Sequence, residues 1–344
     1  MLKKLLTGCL TIAAAAALAM PAMAADVSGK AGGRAIGEIV SHSEKVGDGD
    51  SVSWIDMQSQ GRLDYTATIT DGDWTAMGKT EIRSGNGEDA YDDMQILQKY
   101  VQIGNDAFYF ALGTKWWSWY HMTPFVGESI DRHCYACTNP RTDRLEVGLK
   151  EVGLNFFYGL SNDGKDTDAT GDAYDITELG VEFKKAFGPV NVAAAYYSYA
   201  SAANENLDAD TKDTAMDGYT LAEMSFGVQY VLNDAMFIEF DYESTASTTG
   251  ISGADTDSDV WMGLAFAMAL SEKQGFMVSY EQNTYNTGAS NDEDRIDTYL
   301  IANFEQKLGG AKLWAGYKSR TQTDDDLDDD SSWSDMVIGT RVTF

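Results

Sequence analysis

Few residues in this chain are suited to covalent or hydrolytic chemistry. The histidines are His42, His121 and His133, and the cysteines are Cys9, Cys134 and Cys137. All three histidines fall in expected loops, at 41–51 and 117–143. No Gly-x-Ser-x-Gly elbow, His-Glu-x-x-His pair or phosphate loop is present, so an enzyme is not expected. The run His133-Cys134-Tyr135-Ala136-Cys137 leaves two readings open. An exported compartment favours a small Cys134–Cys137 disulfide. A zinc site with His133 and His121 has the right ligand types but nothing to fix its geometry. Haem attachment is excluded, because the histidine precedes the cysteine pair instead of following it.

Electrostatics offers more. The chain holds 54 acidic and 25 basic residues, a net charge of −29. Such a chain is repelled by phosphate backbones, so nucleic acid is not an expected partner. Acids cluster at Asp48 and Asp50, Glu88 to Asp93, Asp163 to Asp168, Asp208 to Asp213, Asp255 to Asp259, Asp292 to Asp294 and Asp324 to Asp330. These are either solvated loops or sites for hard Ca²⁺ or Mg²⁺ that could bridge to anionic lipopolysaccharide. None has the full EF-hand spacing, and no other cofactor is expected. Against this surplus stand Lys30, Arg34, Arg62, Lys79, Arg83 and Lys115 on the polar face of alternating segments, followed by Arg144, Glu146 and Lys150.

Those segments must be strands. Met236, Ile238, Phe240 and Tyr242 alternate with Glu239, Asp241 and Glu243. Ile296, Thr298, Leu300, Ala302 and Phe304 alternate with Asp297, Asn303 and Glu305. A period of two places one apolar and one polar face on each strand. Sixteen such segments are expected, among them 27–39 and 153–160; fourteen or eighteen remain open if a hairpin has been split or merged. Short links such as Asn105-Asp106 and Leu308-Gly309-Gly310 alternate with long ones such as 117–143 and 161–173. Short turns at one rim and long loops at the other fit a membrane β-barrel better than a soluble sandwich.

The ends agree. Lys3 and Lys4, an apolar stretch from Leu5 to Met20 and the small-x-small triplet Ala22-Met23-Ala24 make residues 1–24 a secretory signal peptide. Leu6-Thr7-Gly8-Cys9 is lipobox-like, but no apolar segment precedes Cys9. Residues 25–344 are then one all-β domain. The longest nearly unbroken apolar run after residue 24, Val260 to Leu270, is too short for a spanning helix, which needs about 20 residues. The last residues alternate Met336, Ile338, Thr340, Val342 and end on Phe344.

These residues resemble the Gram-negative outer-membrane general porins, especially the trimeric sixteen-stranded type. Tyr100-Val101-Gln102-Ile103-Gly104, Asn105-Asp106-Ala107-Phe108 and Leu112-Gly113-Thr114-Lys115 are similar to that family's strand, turn and strand before its constriction loop, and Arg144 to Gly159 is similar to the hairpin after it. The resemblance implies a sixteen-stranded antiparallel transmembrane β-barrel whose third long loop folds into the lumen; an external loop is the alternative. It implies a C-terminal assembly signal in Phe344, read by the outer-membrane assembly machinery. It also implies a transverse field between wall bases (Lys30, Arg34, Arg62, Lys79, Arg83, Lys115, Arg144, Lys150) and loop residues Glu128 and Asp131, with Arg132 beside them. The expected function is passive diffusion of ions and small hydrophilic solutes with weak cation selectivity. A solute-selective porin and a structural or adhesive barrel without an open channel are the alternatives. Small outward residues Gly29, Ala31, Gly33 and Ala35 suggest a homotrimer interface on the early strands.

Overall fold

The computed structural model describes residues 26–46, 49–84, 95–115, 143–167, 173–203, 220–248, 256–286, 295–324 and 331–344. Every regular element among them is a strand: β1 (Asp26–Val46), β2 (Val52–Asp71), β3 (Trp74–Ser84), β4 (Gln95–Gly104), β5 (Phe108–Thr114), β6 (Arg144–Leu149), β7 (Leu154–Thr167), β8 (Ala173–Phe187), β9 (Val190–Ala203), β10 (Thr220–Asn233), β11 (Met236–Thr248), β12 (Thr256–Ser271), β13 (Gln274–Asn286), β14 (Arg295–Leu308), β15 (Ala311–Asp324) and β16 (Ser331–Thr343). Each pairs antiparallel with its sequence neighbours, and β1 pairs with β16 to close a barrel. Closure leaves no strand with an unpaired edge, which is what a β-structure in lipid requires. The expected sixteen-stranded antiparallel barrel is therefore the fold, while the expected signal peptide at 1–24 and the 117–142 part of the third loop lie outside the described residues.

The alternation is inside-out relative to a soluble protein. On β11, Glu239 and Asp241 are buried while Ile238 and Phe240 are exposed. On β14, Asp297 and Asn303 are buried while Leu300 and Phe304 are exposed. A soluble sandwich would bury the apolar set. Here the polar set lines the interior and the apolar set forms the outer surface, as a barrel in lipid demands.

Local chemistry sets the short turns. Asn105 Oδ1 accepts from the backbone N–H of Ala107 at 2.9 Å and of Phe108 at 3.1 Å, an Asx turn. Asn233 Oδ1 does the same for Ala235 at 2.9 Å. Where asparagine is absent, a left-handed glycine turns the chain, as at Gly153 (φ 76°) between β6 and β7.

Several strands run further toward the long connections than the sequence pattern suggests. The expected strand 27–39 extends to Val46, and 153–160 extends to Thr167. Backbone pairing continues where apolar alternation has stopped, because ladder hydrogen bonds need no apolar side chain. One consequence is that His42, expected in a loop, lies on β1.

The interior is not uniformly polar. Ile36, Val40, Trp314 and Val337 form one buried apolar cluster at the β15–β16–β1 seam. Ala267, Met277 and Ile301 form another, with Phe237 packed on it.

Candidate functional site

Alternation places Lys30, Arg34, Arg62, Lys79, Arg83, Lys115 and Arg144 on the inner face of β1 to β6. Arg34 sits opposite Arg62, which sits opposite Arg83, so three guanidinium groups share one row across β1, β2 and β3. Like charges in adjacent positions repel, and carboxylates interleave with them. Arg62 lies 3.4 Å from Glu81 Oε1, and Lys79 lies 3.4 Å from Glu81 Oε2. Arg62 also donates to Gln60 at 3.1 Å.

Lys115 and Arg144 play a different part. They mark the ends of β5 and β6, joined by the third long connection. Lys115 Nζ is 2.6 Å from Glu146 Oε1, and Tyr109 Oη donates to the same oxygen at 2.5 Å. Arg144 is fully buried, donates to the Lys115 carbonyl, lies 3.7 Å from Glu146 and stacks 4.1 Å over the Phe157 ring. These two cations fasten the stem of that connection. Lys150 stands apart from the wall set. It lies in the short turn after β6 and donates to the Asn105 carbonyl at 2.5 Å, at the rim.

Glu128, Asp131, Arg132, Cys134 and Cys137 lie outside the described residues. Among the described residues, no group of three or more His, Cys, Asp or Glu side chains is placed to hold a metal ion. Phe344 is described: its N–H and C=O exchange hydrogen bonds with Gly33 at 3.1 and 3.0 Å, and its ring is exposed on the outer face.

Two of the small residues on outer β1, Gly29 and Gly33, have a reason within the chain. A Cβ at Gly33 would stand 2.9 Å from the Phe344 ring, and one at Gly29 would stand 3.0 Å from Tyr65 Oη. Both glycines make room for aromatic groups of the same chain, so they are not by themselves evidence of a subunit interface.

The alternation argument, applied only to the early strands for the pore, missed the opposite wall. Glu178, Glu182, Glu239, Asp241, Glu243 and Glu281 are buried on the inner face of β8, β11 and β13. Neutral donors hold several of them: Tyr197 Oη to Glu178 at 3.0 Å, Asn155 to Glu182 at 2.8 Å, and Gln229 to Glu239 at 2.9 Å. A neutral donor satisfies a carboxylate without cancelling its charge. In a closed ring of sixteen, β3 with Lys79 and Arg83 lies diametrically opposite β11 with Glu239, Asp241 and Glu243. A field can thus run wall to wall. The signal was present in the sequence, since the polar face of 235–245 reads Glu, Asp, Glu.

The same fold is found in known outer-membrane proteins. The anion-selective porin of Comamonas acidovorans matches with a TM-score of 0.64 at 16% identity, covering 93% of this chain and 100% of that one. The outer-membrane channel DcaP of Acinetobacter baumannii matches with a TM-score of 0.63 at 15% identity, covering 93% and 97%. This chain has the porin fold. In-vitro folded OmpT of Vibrio cholerae in its trimer form matches the same fold with a TM-score of 0.56 at 16% identity, covering 94% and 100%. No family model matches the sequence, and no curated protein matches it.

Proposed function

We propose that the chain forms a water-filled channel in the outer membrane of a Gram-negative bacterium, exported by its N-terminal signal, through which ions and small hydrophilic solutes diffuse passively. The observation that carries this reading is the charged interior. Glu239, Asp241 and Glu243 occupy alternate positions of one strand, with Glu281 on the inner face two strands away. A polar inner face under an apolar outer one is the arrangement of barrels that enclose water and ions. A barrel of sixteen strands is wide enough to hold them.

Weak cation selectivity belongs to the same reading. Arg62 of β2 and Lys79 of β3 share Glu81, and six carboxylates line the inner face of β8, β11 and β13 on the far side of the ring. A homotrimer is the proposed assembly, supported by the trimer form of a protein with the same fold. No catalytic role is assigned.

Purified protein in a planar bilayer tests this directly. A large, steady aqueous conductance with a reversal potential on the cation side supports the channel. A silent bilayer with folded protein present means a structural barrel, and a reversal potential on the anion side removes the selectivity assignment.

A further inference from the structure

The inner wall carries aromatic side chains that an aqueous channel does not need. Outside 116–119, the tryptophans of the chain are Trp54, Trp74, Trp261, Trp314 and Trp333. Membrane barrels place such residues at the lipid interfaces. Here only Trp74 lies on the outer face, edge-on to Phe108 at 5.6 Å. Strand register turns Trp54, Trp261, Trp314 and Trp333 inward. Trp314 is accounted for, being buried in the seam cluster and bonded to Glu38. The other three lie outside that cluster, Trp54 donating to Asp56 at 3.2 Å.

Those three lie toward the long-connection end of the barrel and join a band. Trp261 stacks on Tyr299 with centroids 5.4 Å apart at 22°. Tyr299 meets Trp333 edge-on at 6.4 Å. Lys318 Nζ lies 5.5 Å from the Tyr299 centroid and 5.9 Å from that of Trp333. Past the seam, Trp54 stacks on His42 at 4.9 Å and 19°, and 41% of Trp54 remains exposed.

Among the charged groups named in the band, Arg295, Arg320 and Lys318 are equal in number to Asp297, Asp335 and Asp56, although not pair by pair. Asp297 takes Arg295 at 2.7 Å and Arg320 at 3.0 Å. His42 lies between Asp335 at 2.7 Å and Asp56 at 3.1 Å. A band balanced in this way has little net pull on an ion. It does present fixed carboxylate acceptors and guanidinium donors beside flat apolar faces. Such faces cover the C–H side of a sugar ring, and such planar polar groups bond its hydroxyls. From β12 to β2 the band spans roughly 30 Å of wall at about 4.8 Å per strand spacing. That length suits several linked rings better than one.

We propose that this band is a binding track for neutral oligosaccharides at the outer mouth of the barrel. The proposal rests on the channel reading and adds a ligand class to it. The test records single-channel current with a linear glucose hexasaccharide as probe and a poly(ethylene glycol) of equal hydrodynamic size as control. Reversible current interruptions that saturate with the sugar, and that the polymer does not produce, support the track. Trp261→Ala and Trp333→Ala should each weaken the block about tenfold, a factor readable as a shift in half-saturating concentration. Trp261→Phe should restore most of it, and Trp74→Ala should leave it unchanged. Block equal to that of the polymer, or undiminished in both alanine variants, overturns the proposal. A silent bilayer defeats the channel reading instead. The track is then decided by calorimetric titration of the folded, detergent-solubilised protein with the hexasaccharide, where a saturable heat supports it and its absence overturns it.

Discussion

Trp314 on β15 donates its indole N–H to Glu38 Oε1 on β1 at 3.1 Å, reaching across β16 directly over Gly339. The indole occupies the space that a Cβ at Gly339 would need. The bond ties the last strands to the first where the barrel closes. Trp314→Ala should cost about 3–5 kcal/mol, as expected for a large buried aromatic. Gly339→Ala should also destabilise, because the ring or the strand must move. Urea unfolding of lipid-reconstituted protein, followed by tryptophan fluorescence and gel mobility, measures both. An unchanged midpoint in either variant would show that the seam does not depend on this contact.

Phe344 supplies two backbone hydrogen bonds to Gly33 as the final link of β16 to β1. Its deletion removes both, each worth about 0.5–1.5 kcal/mol net. Gly33→Leu places a branched side chain against the terminal ring. Both variants should lower the fraction that migrates as compact barrel on an unheated gel. Phe344 deletion should have the larger effect in cells, if the terminal aromatic is also the assembly signal.

Two ion pairs at the stem of the third long connection should differ sharply in worth. Glu146 is nearly fully buried and serves Lys115, Tyr109 and Arg144 together. Glu146→Gln leaves those cations without their anion, so a loss of about 3–5 kcal/mol is expected. The Lys99–Asp143 pair, 3.6 Å apart, is 58% exposed on both sides, and Lys99→Ala should cost less than about 1 kcal/mol. Denaturant midpoints of the two variants, compared at matched ionic strength, decide the ranking.

Opposed walls make selectivity adjustable in both directions. Glu239→Gln with Glu243→Gln should move the reversal potential in a salt gradient toward anions. Lys79→Gln with Arg83→Gln should move it toward cations. Each effect should shrink as salt rises, since screening shortens the reach of wall charge to about 10 Å at 0.1 M. Shifts of the same sign from both double variants would show that opposite sides of the ring do not act as opposed poles.

Much of this was legible along the chain, and for identifiable reasons. Ile238, Phe240 and Tyr242 against Glu239, Asp241 and Glu243 is a period of two, and a period of two fixes two faces without tertiary information. Repeating it between alternately short and long links gave sixteen strands. The same reasoning placed Lys30, Arg34, Arg62, Lys79 and Arg83 on one face. What it could not give was partners. Glu81 lies on the same face as Lys79 and Arg83, yet only pairing of β2 with β3 brings it to Arg62.

The primary sequence alone therefore determined where strands lie and their two faces, because these follow from local periodicity; the structure fixed their ends and the count at sixteen, with fourteen and eighteen set aside. Which base meets which acid and which donor meets which carboxylate were decided by strand register, and why Gly33 and Gly339 are glycine was decided by closure. Asp297 and Arg320 are 23 positions apart, and His42 and Asp335 are 293 apart. Separations of that size carry no periodic signal. Only register across the hydrogen-bonded ladder, and above all the β16–β1 seam, sets them side by side.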